Sequence, residues 1–212
     1  MTAITDARLY LVAPASIAAG ELVAFVPGLA AAGVDVIQLR AKEMEVADLM
    51  RVGGPLVEAC ADAGVSFVLN DRADVALALD APGIHLGQND LPVTIARRIL
   101  GTVIVGCSTH SEAEIDAIAR SDAPVDYIAV GPVFETPTKP GRPAVGLDLV
   151  RYATRHSPVP WFAIGGINAS NLDDVLDAGA RRIVVVRAIT EAADPVVAAV
   201  ELRRRLDEVP LG

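Results

Sequence analysis

Two carboxylates, Asp71 and Asp90, stand at matched points of the chain. The apolar run Ser66-Phe-Val-Leu69 ends in Asn70 and Asp71. After a segment rich in Ala and Leu, a second run, Gly83-Ile-His-Leu86, ends in Gly87, Gln88 and Asp90. If the two runs are neighbouring parallel strands, about 4.8 Å apart, both side chains converge on one point above the sheet edge. Two hard oxygen ligands, short of a full protein cage, suit Mg²⁺ held jointly with the phosphates of a substrate. The same acids would serve equally as helix caps in loops, so the pairing gains weight only if neighbouring strand ends carry cations.

They do. Gln38-Leu-Arg40-Ala-Lys42 puts an amide and two cations on one side of an extended segment, a grip for a diphosphate with Arg as a fork and Lys as a point charge. Paired to Glu43 or Glu45, Arg40 would instead be an ordinary solvated strand exit. Cys107-Ser-Thr-His110 offers the Ser108 hydroxyl, while Ser111 with Glu114 three residues on reads as a capping box. The Pro- and Gly-dense stretch 131–143 contributes Thr136, Thr138 and Lys139 and is long enough to be a lid or binding loop. Gly165-Gly166 lets backbone amides approach an anion closely. Val186-Arg187 closes the last apolar run, where the turning chain leaves two orientations for the guanidinium: onto the rim beside Gly165-Gly166, or outward to an acid on a neighbouring helix. His85 lies within a strand and reads as a satisfied interior residue, His156 ends a helix, and only His110 stands near the rim. No Ser-His-Asp or Cys-His constellation points to a covalent hydrolytic route.

The elements that must position these residues alternate along the chain. β-Branched runs at 8–13, 34–40, 66–70, 83–86, 103–107, 126–130, 159–164 and 182–186 read as strands, with helical periods at 20–32, 45–63, 72–80, 93–100, 111–121, 146–156, 170–178 and 194–207. Gly33, Gly64 and Gly179 each fall where a helix stops. Eight alternations with nearly all-apolar strands predict a single (βα)₈ TIM barrel over 1–212 with its site at the strands' carboxyl ends. A Rossmann sheet would want Gly-x-Gly-x-x-Gly after the first strand, and Ala13-Pro-Ala-Ser-Ile-Ala-Ala-Gly20 does not supply it.

Composition bounds the partners. The 212 residues are 52% hydrophobic and 21% charged, with a net charge of −9. The surface field should repel nucleic acid and anionic membranes, and a cationic pocket for a small anionic substrate is compatible with it. No basic-then-apolar leader opens the chain and no apolar run reaches bilayer length, so a cytoplasmic protein is expected. Cys60 and Cys107 fit no metal or redox spacing and should stay reduced in the interior.

Six segments taken together resemble the thiamine-phosphate synthase (thiamin phosphate pyrophosphorylase) family: Gln38-Leu-Arg-Ala-Lys42, Asn70-Asp-Arg-Ala-Asp74, Gly83-Ile-His-Leu-Gly-Gln-Asn-Asp90, Gly106-Cys-Ser-Thr-His110, the run from Asp126 to Lys139, and Ala163-Ile-Gly-Gly-Ile167. They run in order over almost the whole chain. The resemblance implies a transferase that joins 4-amino-5-hydroxymethyl-2-methylpyrimidine diphosphate to 4-methyl-5-(2-phosphooxyethyl)thiazole, or its carboxy form, and releases diphosphate. It implies Arg40, Lys42, Asn70, Ser108 and Lys139 around the diphosphate, with Lys139, Ser108 and Arg40 acting in catalysis. It further implies Asp71 and Asp90 on Mg²⁺, Gln38 near the pyrimidine, and Thr136, Thr138, Gly166 and the amides after Val186 on the thiazole phosphate. Many relatives carry a small hydroxyl residue where this chain has Arg187. The sequence leaves a homo-oligomer open. Two other readings stand beside it: a thiazole tautomerase-like barrel, which has no need of the diphosphate apparatus, and a silent barrel that binds thiamine precursors.

Overall fold

A computed structural model describes residues 3–14, 17, 19–136 and 143–211. Eight strands close into a parallel barrel in sequence order: β1 (Leu9–Pro14), β2 (Val36–Arg40), β3 (Ser66–Asn70), β4 (Gly83–Leu86), β5 (Ile104–Thr109), β6 (Tyr127–Val130), β7 (Trp161–Ile164) and β8 (Ile183–Val185). Helices α1 (Ala19–Ala31), α2 (Val46–Asp62), α3 (Ala73–Ala78), α4 (Val93–Leu100), α5 (Glu112–Ala119), α6 (Gly146–His156) and α7 (Leu172–Asp177) return the chain between strands. After β8 come a one-turn helix, α8 (Arg187–Thr190), and α9 (Pro195–Asp207).

The period-2 alternation of each strand divides the apolar residues between two cores. Leu9, Leu11, Ile37, Leu39, Phe67 and Leu69 pack outward against the helices, whereas Tyr10, Val12, Val36, Val68, Tyr127 and Phe162 fill the barrel. All twelve are buried, and truncating any one of the aliphatic members to Ala would cost about 1–5 kcal/mol. The glycines expected to stop helices do so in the left-handed region, with φ of 91° at Gly33, 73° at Gly64 and 107° at Gly179.

Several strand ends differ from the sequence expectation, each for a local reason. β2 and β6 begin after Asp35 and Asp126 because these carboxylates take over as acceptors for peptide N–H groups of the preceding neighbour. Asp35 Oδ2 accepts from Arg8 N at 2.7 Å and Leu9 N at 3.1 Å, and Asp126 Oδ2 accepts from Val105 N at 2.7 Å. β7 begins at Trp161 because Pro160 has no N–H to donate. β8 stops at Val185, not at 186, because the Val186 carbonyl accepts from Ile189 N and Thr190 N and so opens α8. Arg187 is therefore the first residue of a helix and not the last of a strand.

Candidate active site

The carboxyl ends of β2, β3, β4 and β5 gather the residues expected to bind an anion. Arg40, Lys42, Asn70, Asp71, Asp90 and Ser108 line one narrow cavity of about 70 Å³, with Gln38 in its wall. Asn70 ends β3 in register with His85 on β4, so the next residue, Asp71, is carried up over the barrel mouth. There its φ is 65°, a left-handed conformation that Asp tolerates better than most residues, and its N–H donates to the His85 carbonyl at 2.9 Å. Asp90 is held from the other side by a tight turn in which its Oδ2 accepts from Gly87 N at 2.7 Å.

The two carboxyl groups meet. Burial raises the affinity of Asp71 for its proton above the ordinary carboxylate range, and the facing Asp90 adds to this, against the opposing pull of Lys42. Burial also works to raise Asp90, but the hydrogen bond from Asp71 and the Gly87 N–H outweigh it and hold Asp90 below the usual range. Like charges at close quarters push the two proton affinities apart in this way. Lys42 Nζ lies 2.9 Å from Asp71 Oδ2. Asn70 Nδ2 is buried with no hydrogen-bond partner among the described residues, an arrangement that costs about 1–3 kcal/mol.

These observations fit a divalent cation. Two facing acids offer hard oxygen ligands whose mutual repulsion a cation would relieve. Among the described residues no group of three or more His, Cys, Asp or Glu could hold a metal by itself. A cation held here would take its remaining ligands from a substrate or from water, the usual arrangement for Mg²⁺.

A second cavity of about 340 Å³ adjoins the first at the ends of β6, β7 and β8. Thr136, Gly165, Gly166, Val186, Arg187 and Glu191 are among the residues that line it. Gly165 and Gly166 have φ of 105° and 68°, and a Cβ on either would sit 2.4 Å from Pro132 Cβ or 2.7 Å from Phe134 Cβ. Only glycine lets the β7 loop lie this close to the loop after β6, where Val133 N and Phe134 N donate to Ile164 O and Gly165 O at 2.8 and 3.0 Å. Arg187 lies on the rim beside this loop, with Nη1 3.7 Å from Glu191 Oε2 one turn further along α8. Of the two orientations open to it, it combines a rim position with an acid partner on its own helix.

Thr138 and Lys139 lie outside the described residues. The other named residues fall into the two adjoining cavities: Gln38, Arg40, Lys42, Asn70, Asp71, Asp90 and Ser108 in one, Thr136, Gly166, Val186 and Arg187 in the other. Sequence reading overlooked three members. Tyr10 and His85 line the first cavity, and Tyr127 hydrogen-bonds to both. His85 is satisfied, as expected, with Tyr127 Oη 3.1 Å from Nδ1 and Ser108 Oγ 2.9 Å from Nε2, but the interior it occupies is the wall of the site. Inward alternation with Asn70 and Gln38 was the available signal. Ser111 caps α5 by accepting from Glu114 N at 3.3 Å, whereas the Glu114 carboxylate reaches back one residue further, to His110 N. Cys60 and Cys107 are buried free thiols, which burial pushes up to about 12 and about 11.

Comparison with known proteins gives a consistent answer. A family model described as thiamine monophosphate synthase matches residues 9–189. A thiamine-phosphate synthase of Acidothermus cellulolyticus is 54% identical over 205 residues, 96% of each chain. One from Thermobifida fusca is 54% identical over 203 residues, covering 95% of this chain and 93% of its own. Among solved structures, thiamine phosphate pyrophosphorylase from Pyrococcus furiosus superposes with a TM-score of 0.86 at 30% identity, covering 98% of both chains. The 3-hexulose-6-phosphate synthase of Salmonella typhimurium, at 18% identity and a TM-score of 0.70, shares the fold alone.

Proposed function

Because this chain belongs to the thiamine monophosphate synthase family, and its activity is that of a thiamine-phosphate synthase, we propose that the two adjoining cavities divide the two substrates of that reaction between them. The cavity of Arg40, Lys42, Asn70 and Ser108 takes the pyrimidine diphosphate, and the cavity of Thr136, Gly166, Val186 and Arg187 takes the thiazole phosphate. The observation that carries this reading is the facing pair Asp71 and Asp90 beside Lys42, with the unpartnered Asn70 Nδ2 next to it. That set suits a metal-bound polyphosphate, which a tautomerase-like barrel does not need. It speaks against the tautomerase-like alternative, and the comparisons support neither that nor a silent sensor.

In the reaction the bond between the pyrimidine methylene carbon and the diphosphate oxygen breaks, and the thiazole nitrogen forms a new bond to that carbon. Asp71 and Asp90 would hold Mg²⁺, which supplies charge neutralisation to the leaving diphosphate. Arg40 and Lys42 meet the same growing charge from the β2 side. Asn70 and Ser108 donate hydrogen bonds from the floor, and Lys139, by its place in the motif after β6, adds a further cation. This is electrostatic stabilisation of a departing anion by preorganised groups, which explains a site rich in charge without a nucleophile. If the diphosphate leaves first, the methylene carbon carries a cation that water would quench, so such a site needs a cover against water. No helix of the described residues is long and apolar enough to cross a membrane, and we place the enzyme in the cytoplasm.

Purified protein incubated with both substrates and Mg²⁺ should form thiamine phosphate, read by fluorescence after oxidation. Binding of the pyrimidine diphosphate without product would replace the enzyme with a sensor.

A further inference from the structure

Below the diphosphate cavity, five buried side chains from five strands form one unbroken hydrogen-bonded chain. Gln38 Nε2 donates to Tyr10 Oη at 2.6 Å. Tyr10 Oη lies 2.8 Å from Tyr127 Oη, Tyr127 Oη 3.1 Å from His85 Nδ1, and His85 Nε2 2.9 Å from Ser108 Oγ. The fold makes room for it at a specific point. A Cβ on Gly106 would lie 2.0 Å from Cζ of Tyr127, so only glycine at that β5 position lets the phenol cross the barrel. Phe162 packs edge-on to both tyrosine rings, with centroids 5.5 Å away, and holds them in line.

With the His85 ring neutral, such a chain has only two polarities, because each member between its ends accepts one proton and passes on one. With the Gln38 amide nitrogen towards Tyr10, Tyr10 gives its proton to Tyr127, and Tyr127 gives its proton to His85 Nδ1. The neutral imidazole is then protonated on Nε2 and donates to Ser108 Oγ, leaving the Ser108 hydroxyl proton free to turn into the cavity beside Arg40, Lys42 and Asn70. The Gln38 carbonyl oxygen is left for a donor on the substrate. In the reverse polarity Gln38 presents its carbonyl to Tyr10, and the Ser108 proton is consumed by His85.

We propose that Tyr10, Tyr127 and His85 are positioning residues that set this polarity, so that a ring donor meeting the Gln38 carbonyl fixes the Ser108 hydroxyl proton on the departing diphosphate. The inference rests on the assignment of the two cavities given above and deepens it. An aminopyrimidine supplies the donor and keeps the chain in its productive sense. An oxopyrimidine of the same shape presents an acceptor, reverses the chain and withdraws the Ser108 proton from the leaving group. Recognition of the ring is thereby expressed in turnover as well as in binding, because the hydrogen bond it controls is worth most when charge develops on the diphosphate.

The first test reads the tautomer of His85 by ¹⁵N NMR in the free wild-type protein, with His85→Gln to assign the resonance. The expected result is a neutral ring protonated on Nε2, and a ring protonated on Nδ1 overturns the proposal. The second is kinetic. Tyr127→Phe and Tyr10→Phe each should lower kcat about tenfold or more while KM for the pyrimidine diphosphate stays within about twofold. The double variant should be no more than about twofold worse than the worse single one, since either change cuts the same chain. Wild-type kcat in either single variant, or losses that multiply in the double, overturns the relay. Should one phenylalanine variant fail to fold, the other and the wild-type tautomer still decide. Absence of turnover in the wild type would remove the proposed reaction but leave the tautomer test standing.

Discussion

The two ends of the barrel treat their acids in opposite ways. At the amino ends of the strands, Asp35 is satisfied from three sides, by Arg8 N, Leu9 N and the Arg203 guanidinium at 3.1 Å. Asp126 is likewise matched by Val105 N and by Arg97 at 2.6 Å. At the carboxyl ends, Asp71 sits in a left-handed conformation facing another acid, and Asn70 Nδ2 has no hydrogen-bond partner among the described residues. The amino end has one flaw of its own, the buried Nε of Arg182, but that guanidinium is otherwise anchored through Nη2 to Thr5 O at 2.7 Å. One end closes the fold by pairing every charge it can. The other leaves charge and donors uncompensated, at a cost in stability, where a ligand can complete them.

This contrast predicts a separation of effects. The largest belongs to the carboxyl end: removing divalent cations with EDTA should abolish turnover while leaving the melting temperature nearly unchanged, because Asp71 and Asp90 are not needed to hold the barrel together. Activity that survives chelation, or a large fall in melting temperature, would break the comparison. The mirror image is Asp35→Ala. It strips two buried N–H groups and Arg203 of their common partner, which should cost about 3–5 kcal/mol, the scale for breaking a buried pair. Its kcat, measured on the folded fraction, should stay within about twofold of wild type.

How much of this could be read from the residues alone follows the range of the interactions. The eight strands were legible because each is a run of β-branched residues ended by turn chemistry, and the helix stops at Gly33, Gly64 and Gly179 because a left-handed cap needs glycine. The convergence of Asp71 and Asp90 was legible because two consecutive strands of a βα unit must be neighbours. The chain from Gln38 to Ser108 was not, since its central contact joins residues 117 positions apart and depends on the single missing Cβ of Gly106. Nor was α8, because four residues carry no helical period, and the apolar pattern alone places Arg187 at the end of a strand. The amino-end acids were read as strand residues, and nothing local reveals that their carboxylates replace ladder acceptors.

Within the carboxyl end the effects should grade from one cavity to the other. Arg187 shares its charge with Glu191 and is about half-exposed, so its loss should weaken one substrate only. Arg187→Ala is expected to raise KM for the thiazole phosphate about tenfold, roughly 1.4 kcal/mol, and to leave KM for the pyrimidine diphosphate within about twofold. Equal effects on both substrates would dissolve the division into two cavities.

The smallest effect is the most pointed test of whether the site is held against stability. In the folded chain Asp71 binds its proton more tightly than an unfolded aspartate does, chiefly through burial and then through Asp90. A group whose folded affinity is raised stabilises the fold below its unfolded pKa, and that contribution is lost as the pH rises through the folded value. At neutral pH its ionisation therefore works against folding, even with Lys42 2.9 Å away. Asp71→Asn removes that burden, keeps a donor for Asp90, and places a residue that favours the left-handed conformation at φ 65°. In EDTA at pH 7.5 the variant should melt at or up to about 3 °C above wild type, the shift expected for somewhat less than 1 kcal/mol in a chain of this size. The gain should shrink as the pH falls through the acid range, where wild-type Asp71 takes up its proton, and the variant should be inactive with Mg²⁺ present. A clear loss of stability at neutral pH would show that the Lys42 pair outweighs burial, making Asp71 a stabilising residue like Asp35.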